Sequence, residues 1–92
     1  MRLVFGSDHA AFEMRKALED FARAEGHEVA SVGAASGEAY DYPDASDAVV
    51  AALRAGEADL GVLLCGTGIG VSIRANRYPG IRAALCCGPE MA

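Results

Sequence analysis

The stretch Leu60–Gly70, LGVLLCGTGIG, runs from an apolar segment into a cysteine and then into glycines at alternate positions, Gly66, Gly68 and Gly70. A continuous apolar run of this kind reads as a β-strand over Leu60–Leu64, buried on both faces as in a parallel sheet. The glycines supply the turn, and Val71–Arg77 reads as a short helix. A buried strand that feeds a helix through a glycine turn is the unit from which α/β folds are built.

On the N-terminal side, Arg2–Phe5 reads as a strand stopped by Gly6, with Ser7 or Asp8 able to cap the next helix. From Ala10 to Glu25 the apolar positions Ala11, Met14, Leu18 and Phe21 recur at helical spacing, with most charges off that stripe, and Gly26 ends the helix. His27–Val32 is a second strand and Gly33–Tyr42 a loop. Pro43 then opens a helix at its first position, with Asp44 and Asp47 near the positive end and Val49, Val50 and Leu53 on the apolar side as far as Gly56. Beyond the glycines, Tyr78-Pro79-Gly80 is a turn and Ile81–Cys86 a fourth strand. The order βαβαβαβ predicts a single domain over residues 1–92: α/β, a Rossmann-like three-layer sandwich with a mostly parallel sheet of four strands and right-handed crossovers. Gly88–Ala92 follows that fourth strand without a closing helix, so a C-terminally truncated domain, or one covered by another chain, is expected.

Composition bounds the function. At 92 residues only roughly two thirds of the unfolded surface can be buried, so a partner subunit is expected. The apolar runs are too short to span a bilayer and no signal sequence opens the chain, which points to the cytoplasm. A net charge of −5 argues against nucleic acid or an acidic membrane as partner, and leaves an anionic ligand to be held by local donors. Cys65, Cys86 and Cys87 lack metal-ligand spacing, and no metal site is expected.

Parallel sheets carry their sites at the carboxyl ends of their strands. Asp8-His9 follows the first strand and Cys65–Gly70 the third, which places both on one rim. The glycine spacing fits neither G-x-G-x-x-G nor a P-loop, which needs a lysine after its last glycine. What remains is G-x-G-x-G between strand and helix, where φ > 0 at the glycines lets the amides of Gly66–Gly70 converge beside a positive helix end. That is a hole for a carboxylate, a phosphate or a developing oxyanion. Cys65 at its mouth is a base or a nucleophile, favoured as thiolate by nearby amides, or else a small buried hydrophobe. Asp8 caps the first helix, orients His9 or takes a sugar hydroxyl; His9 can meet a phosphate, and His27 lies on the opposite rim, solvated. Tyr42 is a packing residue or lends its hydroxyl at the rim. Together these parts suit proton abstraction next to a carbonyl, and equally a thiol enzyme or a noncatalytic binder of sugar phosphates or nucleotides.

GSDHA, DYPD, CGTGIGVSIRAN and GIRAALC, in this order and spacing, resemble the ribose-5-phosphate isomerase type B family, which includes the galactose-6-phosphate isomerase subunits. The resemblance implies a cofactor-independent interconversion of an aldose phosphate and a ketose phosphate, D-ribose 5-phosphate and D-ribulose 5-phosphate, through a cis-enediolate, or the matching reaction of a sugar such as galactose 6-phosphate. It implies Cys65 as the base between C2 and C1, the segment Gly66, Thr67, Gly68, Ile69 and Gly70 as the holder of the enediolate oxygen, and the Thr67 hydroxyl as a proton shuttle. Asp8 and His9 match substrate-binding positions. The resemblance also implies a homodimer or homotetramer. Ala11 departs from the family's usual glycine. The family's acid histidine, its neighbouring asparagine and the arginines that grip phosphate are expected beyond Ala92.

Overall fold

The computed structural model describes residues 1–33, 41–66 and 69–86. Strand β1 (Arg2–Ser7) leads to helix α1 (Phe12–Ala24), β2 (Glu28–Gly33), α2 (Tyr42–Arg54), β3 (Leu60–Leu64) and α3 (Ile69–Asn76). The sheet has the order β2-β1-β3, and both pairings are parallel. In register, Ser7 faces Gly33 on one side and Leu64 on the other, so all three strands end on one rim. The central β1 runs through Val4, Phe5, Gly6 and Ser7 with every one buried, as expected for a strand covered on both faces. The β1-to-β2 crossover through α1 and the β2-to-β3 crossover through α2 run in opposite directions across the sheet, so with both right-handed by the usual rule the two helices lie on opposite faces.

Helix α2 seats closely on the sheet. A Cβ at Gly6 would come 2.6 Å from one methyl of Val49, and a Cβ at Gly61 would come 2.6 Å from the other. Val49 therefore occupies the space that two missing side chains leave on neighbouring strands, and with Val4, Ala52 and Ala58 it forms the core. Pro43 sits within the first turn of α2, where its lost N–H costs little. The expectation for this element holds, with the start one residue earlier.

Several expectations fail: β1 does not stop at Gly6 but runs through it to Ser7, and β3, at the edge of the described sheet, is not buried on both faces, with Leu60 55% exposed. Among the described residues the sheet has three strands where four were expected, because Ile81–Cys86 forms no strand. The Asn76 carboxamide takes both backbone groups of Ala83: its Nδ2 donates to the Ala83 carbonyl at 2.9 Å and its Oδ1 accepts from the Ala83 amide at 2.8 Å. A side chain thus occupies the positions a neighbouring strand would need. Helix α1 also departs from expectation: of its expected apolar stripe Ala11 is buried, but Met14, Leu18 and Phe21 point outward, 63%, 38% and 64% exposed, while Arg15, Glu19 and Ala22 are buried. Arg15 lays its stem over the sheet and donates from Nη1 to the Val32 carbonyl at 3.0 Å, and its Nε lies 3.6 Å from Glu19 Oε2. A long charged side chain can cover apolar surface as well as a leucine can when its head finds partners.

Candidate active site

The order β2-β1-β3 puts the point where winding direction reverses between β1 and β3, and α/β sheets open their ligand crevice at that point. Asp8 follows β1 there and Cys65 follows β3. One more parallel bond ties the two exits together, as the Asp8 amide donates to the Leu64 carbonyl at 3.3 Å. Asp8 and Cys65 are therefore adjacent in the frame that the sheet sets. The Asp8 carboxylate accepts from the Ala11 amide at 3.1 Å, which holds the chain as it turns toward α1. Ala11 is the N-cap of α1 and no side chain caps that helix, so Asp8 braces the turn before α1 and does not cap it. His9 stands exposed just beyond, its carbonyl accepting from the Phe12 amide at 3.4 Å. His27 is on the opposite rim, half-buried rather than solvated, with Nδ1 lacking a hydrogen-bond partner.

Cys65 is half-buried and Gly66 exposed. Thr67 and Gly68 lie outside the described residues. Ile69 and Gly70 open α3, whose first amides have no acceptor within the helix. The expected reason for the glycines is not the one observed at the two described positions. Neither Gly66 nor Gly70 is among the glycines with positive φ, which are Gly26, Gly33, Gly56 and Gly80. At Gly70 the reason is space: a Cβ would lie 2.7 to 2.9 Å from three carbons of the Tyr42 ring. Tyr42, at the first position of α2, packs its ring on the first turn of α3 while 43% exposed. The fold thus brings together Asp8 with Cys65, and Tyr42 with Gly70. Two cavities, one along Arg2, Leu3, Glu28, Val29, Ala30 and Glu57 and one between α1 and β2, border neither pair.

Sequence reasoning missed what holds α3 in place. Ser46, fully buried in α2, donates from Oγ to the Val71 carbonyl at 3.0 Å. Asp47 accepts from Arg74 Nε at 2.9 Å and Nη2 at 3.1 Å, a fork-to-fork pair, and from the Tyr78 hydroxyl at 2.7 Å. The Arg74 hydrogen bonds, then the Tyr78 one, hold the Asp47 carboxyl below the usual carboxylate range. The same bond raises Tyr78, whose proton is donated to a carboxylate. Arg54 adds a bond to the Pro79 carbonyl at 2.8 Å and stacks 5.2 Å above the Tyr78 ring. Of the neighbouring arginines 74, 77 and 82, the first is committed to Asp47. Residues 27 and 31 positions apart carry no local signal that would have paired them.

Among the described residues no group of three or more His, Cys, Asp or Glu is placed to hold a metal, and no helix is long and apolar enough to cross a membrane. Residues 3–92 match the profile of the family described as Ribose/Galactose Isomerase. The chain belongs to that family. It is 41% identical over 91 residues to ribose-5-phosphate isomerase B of Escherichia coli, covering 99% of this chain and 61% of that protein. It is 39% identical over 85 residues to the galactose-6-phosphate isomerase subunit LacB of Clostridium acetobutylicum, covering 92% of this chain and 49% of LacB. A solved ribose-5-phosphate isomerase B from Clostridium thermocellum superposes with a TM-score of 0.95 at 43% identity, covering 99% of this chain and 62% of the other. The chain therefore spans about three-fifths of the length of family members such as the E. coli enzyme.

Proposed function

We propose that this chain carries the proton-transfer half of an aldose-ketose isomerase acting on a phosphorylated sugar, with D-ribose 5-phosphate as substrate and D-ribulose 5-phosphate as product. The observation that supports it is the adjacency of Cys65 and Asp8 at the β1/β3 switch point, in a family member matched over residues 3–92. With the sugar open, the Cys65 thiolate removes the proton from C2, and the C2–H electron pair forms the C1–C2 double bond. The carbonyl oxygen at C1 becomes an oxyanion held by the amides of Gly66 to Gly70. The proton on the C2 hydroxyl passes to that oxygen, with Thr67 as shuttle. Return of the thiol proton to C1 then leaves a ketone at C2, so atoms and electrons balance without a cofactor. Asp8 takes a sugar hydroxyl, His9 assists ring opening or meets phosphate, and Tyr42 borders the sugar.

The LacB match favours galactose 6-phosphate as the second substrate to test. Self-association into a dimer or tetramer is part of the proposal, because Met14, Leu18 and Phe21 on α1 form an exposed apolar face. The test follows ketose formation from each sugar phosphate with the wild-type chain and with Cys65→Ser, each also joined to the remaining length of the E. coli relative. Loss of turnover by about 100-fold or more in Cys65→Ser with sugar binding retained is expected. Equal turnover in both proteins removes Cys65 from the chemistry, and binding without turnover in every form favours the noncatalytic reading.

A further inference from the structure

Helix α1 buries Arg15 and Glu19 against the sheet while Met14, Leu18 and Phe21 stay outside, a choice that stability does not explain. A buried ion pair adds little or nothing over apolar residues of similar volume, so the charged face calls for another use. That face borders a cleft of about 350 Å³ between α1 and the edge strand β2. Phe12, Arg15, Lys16, Glu19 and Arg23 line one side of it and residues 31–33 of β2 the other. Three of the chain's eight lysines and arginines stand here, its only lysine among them, against one carboxylate. A protein of net charge −5 thus carries a local excess of positive charge at this cleft.

The charges are also ordered. Lys16 and Arg23, both exposed, are two helical turns apart, so they share one side of α1 at a spacing of roughly 10 Å, with Glu19 between them. At one end the Lys16 ammonium lies 5.8 Å from the centre of the Phe12 ring and the Arg15 guanidinium 5.2 Å from it. Arg15 is held on the floor of the cleft by its bond to the Val32 carbonyl. At the other end Arg23 meets Asp20 at 3.5 Å, an exposed pair that a stronger anion displaces at little cost. Glu19 makes the middle of the cleft unfit for an anion, and the exposed Ser31 hydroxyl makes it fit for hydroxyls. We propose that this cleft is a second binding site, separate from the β1/β3 crevice, for a polyol with an anionic group at each end, of which a sugar bisphosphate is the type. One phosphate meets Lys16 with Arg15 behind it, the other meets Arg23, and the hydroxyls between them lie along Ser31. The site uses neither Cys65 nor Asp8, so it stands or falls apart from the isomerase reading.

The test titrates the 92-residue chain with fructose 1,6-bisphosphate and follows the backbone amide resonances, with ribose 5-phosphate and inorganic phosphate as probes that carry one anionic group. The wild type is compared with Lys16→Ala, Arg23→Ala, Lys16→Arg and Arg77→Ala, the last removing an exposed charge elsewhere as the control. All four positions are exposed, so the fold is kept. The bisphosphate is expected to shift the amides of Lys16, Glu19, Arg23, Ser31 and Val32 with a Kd of about 1 mM or below. Lys16→Ala and Arg23→Ala each weaken this about tenfold, as loss of a charge-assisted bond does, while Lys16→Arg stays within about threefold and Arg77→Ala within about twofold. The two single-phosphate probes bind the same amides about tenfold more weakly or worse. No shift at the cleft amides at about 10 mM bisphosphate overturns the proposal, as do shifts confined to Cys65 and Gly66, which place the ligand in the crevice. Equal binding by one phosphate and two overturns it too, and so does indifference to Lys16→Ala or Arg23→Ala, or equal weakening by Arg77→Ala.

Discussion

Helices α1 and α2 are both 13 residues long and cover opposite faces of the same strands, yet they do so with opposite chemistry. Helix α2 buries Ala45, Ser46, Val49, Val50 and Ala52, and comes close enough that glycine is required beneath it at Gly6 and Gly61. Helix α1 buries Arg15, Glu19 and Ala22 and turns Met14, Leu18 and Phe21 to the outside. The α2 contact is a packed interior that a stray methyl would spoil. The α1 contact is an ion pair laid flat on a strand, beneath a helix whose apolar face is still exposed. Periodicity in a sequence announces that a helix has an apolar face; it does not say which neighbour that face meets.

The largest effect is expected where that contrast is sharpest. Glu19→Ala leaves the Arg15 guanidinium buried without its carboxylate and is expected to cost about 3 kcal/mol or more in urea unfolding, whereas Arg15→Met/Glu19→Leu together cost under about 1 kcal/mol. A double variant as damaging as the single one shows that the pair itself, and not its burial, stabilises α1. On the α2 side, Gly6→Val drives side-chain carbons into Val49 and is expected to cost about 2–3 kcal/mol, much of it recovered by adding Val49→Ala. Failure of that second change to recover stability places the clash elsewhere. The smallest effect is expected at Phe21→Lys: within about 0.5 kcal/mol for the isolated chain, together with weaker self-association by sedimentation. A large loss of stability with no change in association means that the face is covered within one chain.

Much of this architecture is legible in the residues. Strands β1 and β3 stand out as apolar runs, Pro43 falls in the first turn of α2, and three parallel strands are enough to bring Asp8 and Cys65 to one rim. The illegible part depends on contacts between distant residues. Ile81–Cys86 has a strand's composition, but Asn76 claims the Ala83 backbone, and nothing within the segment signals that. The glycine spacing marks the turn, yet a left-handed backbone is the wrong reason for it at Gly70, where the Tyr42 ring, 28 positions earlier, makes the demand. Ser46 and Asp47 sit on a helix like any other polar residues until α3 is set against them.

The bond from the Asp8 amide to the Leu64 carbonyl has a mechanical consequence. It closes the Ser7–Leu64 pair, the last of the β1–β3 ladder, so a shear between these strands must break it before Asp8 and Cys65 can drift apart. The spacing between the residue assigned to the sugar and the residue assigned to its proton is thereby tied to the stiffest direction of the sheet.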